Sequence, residues 1–231
     1  YAGFLLEREV SMLSKVNDFP VAPFVLVLGG AKVSDKIGVV EHLLRKVATI
    51  CIGGGMAFTF LAARGYGTGR SLLEEDKVSF AREMMERAKS NGVEILLPED
   101  ILLAQSFDSD TYRVAGAAEI KENEMGLDIG PATVHLFEKR VRSAKTVLWN
   151  GPMGVFERAA YAGGTRGVGE ALKECTISGG TTVIGGGDTA AAAKTLGFAS
   201  DVSHVSTGGG ASLEFFEGKL LPGIEPLLLD K

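Results

Sequence analysis

The sequence predicts an α/β fold: a doubly wound, Rossmann-like parallel sheet of about six strands with helices on both faces. Three observations carry this. Apolar runs without polar alternation recur along the chain, helical patterns lie between most of them, and glycine clusters follow five of the runs. Strands buried on both faces read as continuous apolar runs, and helices returning between parallel strands cover the sheet.

The elements follow in order. Residues 1–16 have helical spacing, with Phe4, Leu5, Met12, Leu13 and Val16 on one face. Acids and bases are spread through that segment, so it is no signal peptide. Beginning at Tyr1 within a helix, the chain is expected to be a processed or excised piece of a longer protein. Strands are predicted at 24–28 (FVLVL), 48–52, 93–97, 145–149, 181–184 and about 202–206. Helical patterns cover 33–47, 56–63, 74–90, 131–143, 165–174 and 188–196. Around 101–120 the pattern lapses into short strand-like pieces and polar turns, read as a small antiparallel excursion.

Composition bounds the function. With 231 residues, 45% of them hydrophobic, the chain suffices for one large core. A net charge of −5 argues against nucleic acid or an anionic membrane as partner. No apolar run approaches the ~20 residues of a membrane span. Cys51 and Cys175 lack metal or disulfide spacing and read as buried small hydrophobes, which suits a reducing cytosol and a cytoplasmic protein.

The glycine clusters are the informative part. GGAK follows Leu28, GGGM follows Ile52, NGPMG follows Trp149, GGGDT follows Ile184 and TGGGAS follows Ser206. In a parallel sheet these strand ends share one edge, where open α/β folds bind ligands. One such cluster is only a tight turn; five on one edge point to a polyphosphate cradled by backbone N–H groups and helix N-termini. The common phosphate-loop pattern fails, because Lys32 follows Ala31 and precedes Val33. Lys32 and Lys36, four apart at a predicted helix start, are expected to face one way. Asp188 reads as an N-cap, or as the carboxylate that meets a Mg²⁺ shared with the phosphates. Thr189 offers a hydroxyl to phosphate, and Glu157 is placed to accept from ribose hydroxyls.

LGGAKVSDKI, IGGGMAFTFL, MGLDIGP, WNGPMGVFE, GGGDTA and SHVSTGGGASLE together resemble the signature segments of the phosphoglycerate kinase family, in the family's order from about Phe24 to Pro222. That family moves a phosphoryl group between 1,3-bisphosphoglycerate with ADP and 3-phosphoglycerate with ATP, in glycolysis. The resemblance covers only its C-terminal, nucleotide-binding domain. It implies 1–16 as a former interdomain segment, 17–231 as the nucleotide-binding domain, and an absent N-terminal glycerate-binding domain as partner. It also implies a monomer that binds adenine nucleotide with Mg²⁺ and does not turn over alone.

Residue by residue, the resemblance makes Lys36 the contact to the transferring phosphoryl group and Lys32 its neighbour on the phosphates. Gly186, Gly187, Asp188 and Thr189 hold the phosphates, with Asp188 as magnesium ligand, and Asn150 lies near the triphosphate. Gly53, Gly54, Leu72, Gly126, Leu127 and Pro152 wall the adenosine, and Glu157 binds ribose. Gly208, Gly209 and Gly210 form the turn whose helix faces the phosphoryl group. One departure is Glu124, where many relatives carry tryptophan; a changed loop beside the adenine pocket is expected. His42 and His135 read as surface or satisfied residues, and His204 as a strand hydrogen-bonder. The alternative is a stand-alone dinucleotide-binding oxidoreductase domain, disfavoured because no G-x-G-x-x-G follows the first strands. A purely structural partner domain would leave the paired lysines and Asp188 without a purpose.

Overall fold

A computed structural model describes residues 3–225; the first two residues of the predicted leading helix and residues 226–231 of the predicted domain lie outside them. A leading helix α1 (Phe4–Asn17) is followed by β1 (Phe24–Leu28), α2 (Ile37–Leu43), β2 (Thr49–Ile52), α3 (Ala57–Ala63), α4 (Val78–Ser90) and β3 (Glu94–Leu96). Next come β4 (Asp100–Ala104), β5 (Arg113–Gly116) and β6 (Met125–Ile129). The second half alternates α5 (Pro131–Ser143), β7 (Thr146–Asn150), α6 (Gly163–Ile177), β8 (Thr181–Gly185), α7 (Gly187–Leu196), β9 (His204–Val205) and α8 (Gly210–Phe216).

Six strands form one parallel sheet in the order β3-β2-β1-β7-β8-β9. The order reverses between β1 and β7, which places the fold's topological switch point there. Alternation along β1 feeds two cores. Phe24, Leu26 and Leu28 pack with α1, α2, α3, α4 and α8 on one face. Val25 and Val27 pack with α5, α6 and α7 on the other, where Trp149 stacks on Phe198 at 5.6 Å. All five residues of β1, β7 and β8 are buried, so their uninterrupted apolar or threonine-rich runs follow from cover on both faces.

Three local differences from the sequence expectations have physical causes. The antiparallel excursion is a three-stranded sheet, β5-β4-β6, reaching Ile129, because the segment predicted as a pocket wall supplies its third strand. The predicted helix over 33–47 is shorter: a 3₁₀ turn at Ser34–Lys36 leads into α2, so Lys32 lies before the helix and the lysines do not share a regular α-helical face. In α1, Leu13 and Val16 are buried, but Phe4 is 92% and Leu5 70% exposed; the first turn projects beyond the core.

Some helix starts are secured from far away in sequence. Asp100 on β4 accepts the N–H groups of Ala132 and Thr133 at 3.0 and 2.8 Å, satisfying two orphan donors of α5 beside Pro131.

Candidate functional site

The five glycine turns stand on one sheet edge, but they are of two kinds. Those after β1, β2 and β7 are knitted together. Gly29 donates to the Asn150 carbonyl at 2.9 Å and Gly30 to that of Pro152 at 2.9 Å. Gly54 donates to the Met153 carbonyl and Met56 to that of Gly30, both at 3.0 Å. A Cβ on Gly29 would lie 2.2 Å from the Pro152 carbonyl oxygen, and Gly151, at φ +95°, is equally crowded by Gly29. These glycines exist so that backbones can touch one another.

The turns after β8 and β9 are open. A Cβ on Gly187, Gly209 or Gly210 would meet nothing within 4 Å. Among the described residues, no acceptor is found for the N–H groups of Gly187, Asp188 and Thr189 at the head of α7, nor for those of Gly209 and Gly210. Unsatisfied donors and the positive end of a ten-residue helix converge there, which suits an anion.

The switch point lies within the first group, between the turns after β1 and β7, and the open turn after β8 adjoins it. Lys36, half-buried, donates from Nζ to Asn150 Oδ1 at the end of β7. Burial lowers the Lys36 pKa below the ordinary lysine value, against the pull of Asp35 and Asp188. A desolvated ammonium without a contacting carboxylate favours an incoming anion. Asn150 is itself buried, and its Nδ2 has no hydrogen-bond partner while facing the Gly186 turn. An orphaned buried donor is costly unless something accepts from it.

Beside the switch point is a cleft of about 420 Å³, a volume suited to a small organic ligand. Gly54, Leu72, Gly126, Leu127 and Pro152 line it, and Glu157 and Asp188 stand exposed among its lining residues. The small antiparallel sheet supplies Ile101 and Met125, α3 supplies Phe58, and the β4–β5 loop supplies Phe107, which sequence reasoning missed. Gly126 is required there: a Cβ would sit 2.1 Å from the Phe58 ring.

Several predicted roles change. Gly53 is buried behind the lining, against Met153. Thr189 is buried, with its Oγ1 accepting the Gly151 N–H at 2.6 Å. Asp188 is not the cap of α7; that position is Gly186, at φ +87°, and Asp188 is an exposed first-turn residue with no side-chain hydrogen bond among the described residues.

Glu9 and Asp128, carboxylates that organise the site, were missed, because their partners are distant in sequence. Glu9 on α1 is buried and accepts from Ser206 Oγ, from His204 Nε2 at 2.9 Å and from the Thr207 N–H at 3.3 Å, tying α1 to the β9 turn. Burial pushes its pKa up, but these hydrogen bonds and His204 bring it below the ordinary value. Asp128 on β6, 4% exposed, accepts the Gly164 N–H at 2.7 Å and that of Ile129 at 2.9 Å, and burial raises its pKa to about 7. Glu124 is buried and pairs with Arg113 through two hydrogen bonds of 2.7 and 2.8 Å. Its carboxyl is held down to about 2 by that guanidinium.

The family model for phosphoglycerate kinase matches residues 1–219. The chain is 57% identical over 226 residues to the phosphoglycerate kinase of Clostridium novyi (strain NT), covering 97% of this chain and 56% of that protein. It is 55% identical to that of Clostridioides difficile (strain 630), with the same coverage. The structure of phosphoglycerate kinase from Coxiella burnetii superposes with a TM-score of 0.93 at 42% identity, over 98% of this chain and 58% of that one. The chain spans a little over half the length of the curated relatives it matches. The oxidoreductase alternative finds no support among these relatives; its strand order is shared, but a fold does not by itself carry a function.

Proposed function

Because this chain belongs to the phosphoglycerate kinase family, we propose that it is the family's nucleotide-binding half, with residues 1–16 leading to a glycerate-binding domain and 17–231 taking ADP or ATP. The observation that carries the reading is the junction at the switch point. An adenosine-sized apolar cleft lies on one side, open N–H groups on the other, and the half-buried Lys36 between them.

In this reading Gly54, Leu72, Gly126, Leu127 and Pro152 enclose the adenosine, with Gly53 packed behind them, and Glu157 accepts from the ribose. The phosphates run toward Gly186–Thr189, where they meet open backbone donors and Asn150 Nδ2. Lys36 leaves Asn150 to meet the transferring phosphoryl group, while Lys32, exposed, contributes longer-range attraction. Of Gly208–Gly210, Gly209 and Gly210 add N–H groups on the far side, while that of Gly208 already donates to Ser206 Oγ at 3.2 Å. The acceptor carboxylate is ionised at neutral pH, so no general base is required. Catalysis rests on positioning and on charge placed where the transferring group spreads its own.

Magnesium fits the donors present. Among the described residues no three potential ligands cluster; an ion bound mainly by phosphates takes only one or two carboxylates from the protein. Asp188 would be that carboxylate, and the bound ion would neutralise phosphate charge.

The test is calorimetric. Mg-ADP should bind the chain, and Asp188→Asn should weaken that binding about tenfold or more, the size of a lost charged contact. With EDTA, metal-free ADP should bind the variant as well as the parent or slightly better. Equal losses with and without metal would remove Asp188 from the metal site. Mg-ATP with 3-phosphoglycerate should give no turnover until an N-terminal domain is added, and robust turnover by the chain alone would contradict the assignment.

A further inference from the structure

The head of a helix is where an anion is ordinarily received. After β8 that seat is open. After β1 it is taken, by a residue of the chain itself. The Glu74 carboxylate accepts the Val33 N–H, the Ser34 N–H at 3.2 Å and the Ser34 hydroxyl at 2.6 Å. Three donors from the turn that carries Lys36 therefore converge on one side chain, 40 residues away from Ser34.

Glu74 is in turn fixed by its surroundings. Its own N–H donates to Oγ1 of the buried Thr59 on α3, at 3.2 Å. It lies two residues after Leu72, which lines the cleft, and the hydroxyl of Ser71 accepts the Gly126 N–H at 2.9 Å. One short segment, Ser71–Glu74, thus touches both the apolar wall and the lysine turn.

We propose that Glu74 is a positioning residue: it clamps the Val33–Lys36 turn so that Lys36 reaches the phosphates, and it links the adenosine wall at Leu72 to that lysine. The inference rests on the nucleotide reading of the cleft. It explains why a glutamate stands where a phosphate is ordinarily received. With the N–H groups of Val33 and Ser34 already satisfied, the β1 side meets the nucleotide through side-chain cations, and the β8 side meets it through backbone. A glutamine can keep the three contacts only by turning its amide NH₂ to the Ser34 hydroxyl, and it loses the charge that strengthens all three hydrogen bonds.

The test compares ADP with adenosine. Mg-ADP is titrated calorimetrically and adenosine by ligand-observed NMR, into the parent chain and Glu74→Gln. Glu74→Gln should weaken Mg-ADP about tenfold or more, as loss of charge-assisted hydrogen bonds predicts, while adenosine binding changes less than about twofold. Lys36→Ala should weaken ADP in the parent but add little in the Glu74→Gln background, because the two act as a unit. Ser34→Ala, which removes one donor and leaves the carboxylate, should shift the ADP-to-adenosine ratio the same way by a smaller factor; it serves if Glu74→Gln does not fold. Equal losses for ADP and adenosine, or additive effects of Lys36→Ala, would reduce Glu74 to a general brace and overturn the inference. A parent that binds ADP while the variants keep its ADP-to-adenosine ratio would overturn the inference alone. A parent that binds no ADP would overturn the nucleotide reading as well.

Discussion

The turns after β1, β2 and β7 and those after β8 and β9 are written in nearly the same glycine-rich language, yet they do different things. The first group spends its N–H groups on neighbouring turns, as in Gly29 to Asn150 and Gly30 to Pro152. The second leaves the N–H groups of Gly187, Gly209 and Gly210 without an acceptor among the described residues, and their Cβ positions face empty space. A glycine cluster on a sheet edge is thus not one signal. Where another backbone fills the Cβ position, glycine serves folding. Where nothing fills it, glycine leaves room for a ligand.

Substitution on the interlocked side should have the largest effect. Gly29→Ala places a methyl 2.2 Å from a backbone oxygen that cannot swing away. Overpacking of this kind should cost about 3 kcal/mol or more, a fall in Tm of roughly 6–12 °C for a chain of this size. Thermal melts followed by circular dichroism would show it. An unchanged Tm would mean that the turns are not locked.

Asp128 sharpens the comparison from within the interlocked half, since it pins β6 to the head of α6. Its folded pKa, pushed up to about 7 by burial, lies well above the ordinary aspartate value. A raised folded value means that its contribution is most favourable below the unfolded pKa and is lost as pH rises through the folded one. Asparagine does not ionise. The stability difference, Asp128→Asn minus parent, should therefore grow more positive between pH 5 and 8, by an amount on the order of 2 kcal/mol. A flat or falling difference would show that Asp128 is ionised throughout.

Gly187→Ala on the open side should barely move Tm, because alanine fits the space and favours helix. Its effect should appear in binding, with Mg-ADP weakened about tenfold, or roughly 1.4 kcal/mol. A large loss of Tm with unchanged affinity would reverse the assignment of the two kinds of turn.

Much of the fold was legible because its signals are local. FVLVL is an apolar run for a strand buried on both faces, and Pro131 marks the start of α5 at its true position. The order of glycine turns placed the edge correctly. What was not legible depends on partners distant in sequence. Glu74 binds a turn 40 residues before it, and Glu9 meets Thr207, 198 residues away. Phe4 and Leu5 have core-like spacing, but among the described residues nothing covers them, and they stand exposed. The lysine pair looked helical because spacing cannot distinguish an α-helix from a 3₁₀ turn that delays its start. Thr189 looked free to serve a ligand, and only the approach of Gly151 shows its hydroxyl already engaged.

Amide hydrogen exchange, read residue by residue by NMR with and without saturating Mg-ADP, tests the central distinction most directly. The N–H groups of Gly29, Gly30 and Gly54 are bonded before any ligand arrives, and they should exchange slowly in both states. Those of Gly187, Asp188 and Thr189 should exchange fast in the unliganded chain and gain protection when ADP binds. Protection gained at Gly29 and Gly30 and none at Gly187–Thr189 would place the phosphates on the other side of the switch point and contradict the account.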